Sequence, residues 1–175
     1  MKKRFMISAA GITAAAIAGA ANADITINID ETSLLGGEAV FVDLGEVSGT
    51  LTGISYSYSW TNNEGDSSWS SDMLIGVTHS GTAVSVGGYN LSFTSGSSWG
   101  ALAGSYSSGT YSGYASGSMA MSGPAGFWWV NGWSASAGTT SSATVTLMGI
   151  NAIPAPGALA LLGLAGIAGR RRRRA

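Results

Sequence analysis

Residues 50–61 run Thr-Leu-Thr-Gly-Ile-Ser-Tyr-Ser-Tyr-Ser-Trp-Thr, which places Ile54, Tyr56, Tyr58 and Trp60 on one face and Ser55, Ser57, Ser59 and Thr61 on the other. A period of two over this length predicts a β-strand with one buried and one solvated face. Asn62-Asn63-Glu64-Gly65-Asp66 then supplies turn chemistry. Residues 73–78 and 82–86 predict a hairpin closed around His79, Ser80 and Gly81. Further strands are predicted at 24–29, 39–44, 89–93, 127–131 and 143–150, while 111–121 alternates more loosely, with small residues on one face. Outside the two ends no window carries a helical period. The pattern therefore predicts one all-β domain over residues 24–150, a two-sheet β-sandwich or jelly roll of short strands joined by Gly and Ser turns. Residues 94–117 are almost entirely Ser, Gly, Thr, Ala and Tyr, interrupted by Trp99 and Leu102. Low complexity of this kind predicts a long loop. Its functional alternative is a polar, aromatic-dotted surface that contacts glycan.

The two ends have a different character. Residues 1–23 open with Lys2, Lys3 and Arg4, continue as an alanine-rich apolar stretch and finish in Ala21-Asn22-Ala23. Basic start, apolar middle and small-x-small ending are the parts of a secretory signal peptide, cut by signal peptidase after Ala23 to leave Asp24 as the new N-terminus. The alternative is an uncleaved N-terminal anchor. The other end, residues 151–175, joins a Pro154-Ala155-Pro156-Gly157 turn to an apolar run over 157–169, followed by Arg170, Arg171, Arg172, Arg173 and Arg174. As a helix the run spans roughly 20 Å, at about 1.5 Å per residue, against a bilayer core of about 30 Å. The arginines act as a stop-transfer signal and hold the C-terminus on the cytoplasmic side. A short helix with such a stop suits transient inner-membrane retention better than a permanent span.

Pro-x-Pro-Gly, an apolar helix rich in Leu, Ala and Gly, and a terminal arginine cluster together resemble the PEP-CTERM sorting signal of exported bacterial proteins. This chain carries Ala155 where the family name records Glu. The resemblance covers about 25 of 175 residues. It implies recognition by an exosortase, a membrane-embedded cysteine transpeptidase that removes the tail near the Pro-x-Pro motif, and delivery to the cell surface or an extracellular polysaccharide matrix. The alternative is a plain single-span tail anchor. A second resemblance lies in the middle of the chain. Residues 70–86 and 126–133 are similar to the strand pattern of proprotein-convertase P domains, which implies a jelly-roll fold and carries no catalytic residue across.

Charge sharpens the division between ends and middle. All eight Lys and Arg are Lys2, Lys3, Arg4 and the five terminal arginines, so the whole-chain net charge of −1 conceals an acidic centre. Residues 24–153 hold all nine acids and no cation, a side-chain charge of −9 with His79 neutral. Phosphate neutralisation needs Lys or Arg, so nucleic acid is excluded as a partner of this domain. The chain has no cysteine, which rules out disulfide staples. About 130 residues can nevertheless bury a core without them.

Candidate chemistry in the middle is sparse. A Ser–His–acid triad would have to use His79, the one histidine, which the pattern places in an exposed turn. One His does not make a zinc site, and there is no P-loop. Glu64, Asp66 and Asp72 are candidate Ca²⁺ ligands, since that ion takes several oxygens including loop carbonyls. Asp30-Glu31, or Glu64 with Asp66 and Asp72, are the carboxylate pairs a glycosidase would need. Of the six tryptophans, Trp99, Trp128, Trp129 and Trp133 are candidate glycan contacts. Trp128 and Trp129 are adjacent on a predicted strand and must point to opposite faces, so both cannot enter one core. Two functions of different classes follow. One is a non-enzymatic surface or matrix protein; the other is a secreted carbohydrate-binding module, with a glycosidase the remoter variant.

Overall fold

In a computed structural model of the chain, the described residues are 24–63, 69–88, 96–133 and 138–153. They are all-β apart from one 3₁₀ turn, Ser70–Asp72. The strands are β1 (Ile25–Leu34), β2 (Ala39–Asn62), β3 (Met73–His79), β4 (Thr82–Gly87), β5 (Gly96–Ser98), β6 (Gly109–Asn131) and β7 (Thr139–Ala152). They form one hydrogen-bonded sheet in the order β1-β7-β2-β6-β3-β4-β5. Every ladder is antiparallel except the short β4–β5 pair.

The two sheets expected from the pattern are the two ends of this single sheet. β2 and β6, 24 and 23 residues long, pair along almost their whole length, whereas ordinary strands run about 3–10 residues. Such a ribbon can stay compact only by bending. Its C-terminal β2 half, with β1, β7 and the start of β6, makes one layer. Its N-terminal β2 half, with the end of β6, β3, β4 and β5, makes the other. The layers face each other in a sandwich-like arrangement. Tyr58 of the first layer meets Trp129 of the second edge-on, with ring centroids 5.4 Å apart. Trp129 Nε1 donates to Ser141 Oγ of β7 at 3.0 Å, and Asn131 Nδ2 to the Leu34 carbonyl of β1 at 3.0 Å. Between the layers lie Ile27, Ile54, Trp60, Ile75, Val77, Phe127, Val145 and Leu147, each at most 1 % exposed.

The corner of the ribbon is made of glycine and bulges. The β2–β6 register shifts between Asp43 and Gly45 and again between Leu51 and Gly53, and the β2–β7 register shifts between Gly49 and Gly53. Gly45, Gly49, Gly123 and Gly149 all have positive φ. A bulge bends its strand and increases the local twist, and glycine tolerates these angles. For this reason 39–44 and 50–61, expected as separate strands, are one. Residues 45–49 bend the chain without ending the strand. The loosely alternating 111–121 and the expected strand 127–131 likewise fuse into β6. Pro124 sits inside β6 opposite Glu46, one residue past Ala125, where β3 stops pairing. Beyond that point one side of β6 has no strand partner among the described residues, which is where a proline without an N–H is tolerated.

Other elements follow the pattern closely. β1 continues to Leu34 through a bulge at Asp30 and Glu31, and the β3–β4 hairpin closes on Ser80 and Gly81, with φ of 47° and 78°. The strand expected at 89–93 lies outside the described residues. β7 runs to Ala152, two residues past the expected domain end, and the Ile153 N–H donates to the Glu46 carbonyl at 2.7 Å. On the outer face of the first layer, small polar side chains pair across strands: Thr26 with Thr146 at 3.1 Å, Asn28 with Thr144 at 3.0 Å and Ser59 with Thr110 at 3.2 Å.

The corner can be tested with two alanine substitutions. At Gly49, φ is +123° and an added Cβ would lie 2.4 Å from the Gly149 carbonyl oxygen; at Gly37, φ is +81° with nothing within 4 Å. Gly49→Ala should cost about 3 kcal/mol or more, from backbone strain plus a backbone clash, and Gly37→Ala only about 1 kcal/mol. Urea unfolding of the two variants measures the difference, and equal losses would show that the corner is not under this constraint.

Candidate functional site

The alternating tyrosines of β2 do more than fill the core. Their hydroxyls reach the far edge of the sandwich and hold the low-complexity segment. The Tyr58 hydroxyl shares its one proton between the Ser70 carbonyl at 2.9 Å and the Ala103 carbonyl at 2.7 Å, and Tyr56 accepts from the Ala103 N–H at 2.8 Å. Burial pushes the Tyr58 phenol well above the ordinary tyrosine range, against the weaker opposing effect of its bond to Ser70. The Ser70 N–H donates to the Ser105 carbonyl at 3.0 Å, and Ser70 Oγ donates to the same carbonyl at 3.0 Å while accepting from the Ser105 N–H at 2.8 Å. Ser105 Oγ bonds to the Tyr111 hydroxyl at 2.7 Å, and that hydroxyl donates on to the Ser107 carbonyl. Leu102 is buried beside Gly87, and the Trp99 ring lies against Gly117, where a Cβ would approach Cε2 to 2.2 Å. The loop expected across residues 94–117 is therefore real over 99–108, but it is tied down at both layers; β5 and the start of β6 occupy its flanks.

Two aromatic rings ride on this braced segment. Trp69 and Tyr106 form an edge-to-face pair with centroids 6.2 Å apart. They are 49 % and 48 % exposed, while their neighbour Ser70 is fully buried. The Trp69 backbone is held on both sides. Its N–H donates to Asp72 Oδ2 at 2.7 Å, and its carbonyl accepts from the Asp72 N–H at 2.9 Å. Local pattern marks neither ring, because Trp69 follows an expected turn and Tyr106 sits in the low-complexity stretch. The available signal was an aromatic standing outside any alternating strand, where no core face claims it.

The expected division of Trp128 and Trp129 is observed. Trp129 points inward and is fully buried. Trp128 points outward and is half-buried, 4.6 Å from the Phe41 ring centroid-to-centroid, with Nε1 donating to Thr78 Oγ1 at 3.2 Å. Beside this pair a cleft of about 430 Å³ is lined by Phe41, Asp43, Thr78, His79, Pro124 and Gly126, among others. Gly126 is required there, since a Cβ would come within 2.5 Å of the Phe41 ring. Of the four candidate glycan contacts, Trp129 is a core residue and Trp99 packs half-buried against the core. Trp133 is half-buried, its N–H bonded to Asn131 Oδ1 at 3.1 Å. Trp128 stands on an outer face, against Phe41 and Thr78 of the cleft wall. The structure does not bring the four together.

His79 corrects an expectation. It is 9 % exposed rather than out in a turn, because the alternation of β3 carries it inward at the end of the strand. Nε2 accepts from the Ser122 N–H at 3.1 Å, and Nδ1 lies 3.0 Å from the Pro124 carbonyl, so Nδ1 carries the proton and bonds to that oxygen. Both ring nitrogens are thus engaged with β6 backbone. Asp72, a candidate Ca²⁺ ligand, is likewise buried at 5 % exposed. Burial raises its carboxyl above the ordinary aspartate range, with the bond from the Trp69 N–H opposing. Glu64 and Asp66, its expected companions for Ca²⁺, lie outside the described residues, and no group of three or more acids or histidines suited to a metal occurs among the described ones. Asp30 and Glu31 are exposed at the β1 bulge. Ala21 and Ala23 of the expected signal peptide, the motif at Pro154, Ala155, Pro156 and Gly157, and Arg170–Arg174 also lie outside the described residues; Asp24 Oδ1 accepts from the Gly149 N–H at 3.1 Å. Among the described residues, no helix is long and apolar enough to cross a membrane. No family model, no curated protein and no solved structure matches the chain.

Removing the Tyr58 hydroxyl tests the brace. Tyr58→Phe leaves the Ser70 and Ala103 carbonyls without this donor in a buried setting, which should cost about 1–3 kcal/mol. Tyr114→Phe, at a ring 57 % exposed, should cost almost nothing. Equal stabilities in urea would show that the latch contributes nothing to the fold.

Proposed function

We propose that this chain is an exported, non-enzymatic protein of the cell surface or extracellular matrix. In this reading it enters the export pathway by residues 1–23 and is held briefly in the inner membrane by residues 157–169. An exosortase then processes it at Pro154-Ala155-Pro156. The observation that carries the reading is where the sheet stops. β7 ends at Ala152 and the Ile153 N–H donates to the Glu46 carbonyl, so a cut at the Pro-x-Pro motif would leave every described strand and every described core residue in place. The charge distribution supports the same reading. All cations lie in the two segments that processing would discard, and the acidic remainder has none with which to hold nucleic acid or anionic lipid. The engaged ring of His79 and the capping role of Asp72 support a non-enzymatic role.

A second reading, a secreted carbohydrate-binding module, is favoured by Trp128. This ring is held on the outer face by Phe41 and Thr78 next to a cleft that contains Asp43, and half-exposed aromatics beside convergent polar groups suit sugar rings. We also retain the jelly-roll affinity as part of the proposal. The two stretches that resemble P domains fall on β3–β4 and on the adjoining end of β6, neighbours in the sheet order.

The sorting proposal is tested by two tail variants in cells that contain an exosortase. Replacing Pro154 and Pro156 with Ala removes the fixed φ of the turn but leaves the apolar run and the arginines intact. Membrane targeting should persist and processing should fail, leaving tail-bearing protein in the membrane fraction. Deleting Arg170–Arg174 should instead abolish stable engagement. Wild-type protein that keeps its arginines in such cells decides for a plain anchor.

A further inference from the structure

We infer that Trp69, with Tyr106 set edge-to-face beside it as a side wall, is a stacking platform for a pyranose ring of a neutral polysaccharide. The inference rests on the carbohydrate-binding reading and moves its centre from Trp128 to a face the sequence did not mark. These two are the exposed aromatic pair of the described structure, each about half open to solvent. Leaving large apolar rings in water carries a cost of hydration, and here the cost is borne at a site that is unusually well held. Ser70 and Ser105 are joined by three hydrogen bonds of 2.8–3.0 Å, Asp72 clamps the Trp69 backbone from both sides, and Tyr58 ties Ser70 to Ala103 from within the core. The rings are free while their backbones are fixed. A binder preorganised in this way loses little entropy when a ligand arrives.

The chemistry around the rings selects the occupant. The domain has no Lys or Arg, and its acids give it a strongly negative field, so an anionic chain is repelled. Asp72, the nearest described carboxylate, is buried and spends Oδ2 on the Trp69 N–H, so it offers little to a cation. What remains is an apolar surface flanked by the hydroxyl of the exposed Ser107. That combination suits a ligand with an apolar C–H face and a belt of neutral hydroxyls, which is a hexopyranose.

Affinity electrophoresis of the full-length chain in detergent tests the inference, with hydroxyethyl cellulose or galactomannan as neutral probes and polygalacturonate as the anionic one. Wild type should be retarded by a neutral probe, and any retardation by polygalacturonate, which the terminal arginines can hold, should be unchanged in Trp69→Ala. Trp69→Ala and Tyr106→Ala should each weaken the retardation about tenfold or more, and Trp69→Tyr should restore most of it, which separates stacking from mere folding. Thermal melting of each variant checks that the latch survives. Retardation of Trp69→Ala equal to wild type overturns the platform. If Trp128→Ala then abolishes retardation, the carbohydrate reading stands on the other face. Failure of both neutral probes to retard wild type overturns platform and reading together, and retardation by polygalacturonate that Trp69→Ala removes overturns the neutral assignment.

Discussion

Tyr58 touches Trp129 only because the β2–β6 ribbon doubles back. Trp129 pairs with Val40, which is 18 residues before Tyr58 on the same strand, a separation of roughly 60 Å if the strand were straight at about 3.3 Å per residue. Their rings are 5.4 Å apart. Everything else in the domain is arranged around that reversal. The glycines and bulges between Asp43 and Gly53 permit it, the apolar residues of both layers fill the space it encloses, and Trp129 and Asn131 stitch the layers to β7 and β1. With no cysteine for disulfides and no Lys or Arg in residues 24–153, no covalent or ionic staple assists. Apolar burial and buried hydrogen bonds carry the fold.

The same reversal converts a loop-like sequence into a supported surface. Residues 99–108 would be unlikely to hold one conformation by composition alone, since Ser and Gly impose little on the backbone. They are fixed by groups that belong to the core, the hydroxyls of Tyr56 and Tyr58 and the buried turn at Ser70. Trp69 and Tyr106 are consequently exposed yet positioned, which separates them from the scattered surface aromatics that need no explanation.

Much of this was legible in the sequence, and what was not has physical reasons. Strict alternation over 50–61 revealed the inward tyrosines, and adjacency alone revealed that Trp128 and Trp129 must part. The length of β2 and β6 was hidden because glycine within a strand looks like glycine that ends one; only the pairing partner distinguishes a bulge from a turn. His79 was placed outside because it borders Ser80 and Gly81, although the period of β3 already pointed it inward with Val77. Trp69 and Tyr106 were invisible because their contact joins segments 37 residues apart, far beyond any local pattern.

The functional account turns on the two charged ends being temporary. Every described strand lies between Ile25 and Ala152, and the acidity of residues 24–153 differs sharply from the basic tracts outside. The most direct measurement is the intact mass of protein released from the surface of its native cells. The account predicts a species that begins at Asp24 and ends near Pro154–Pro156, without Arg170–Arg174. A surface species whose mass retains residues 1–23 or the terminal arginines would contradict it.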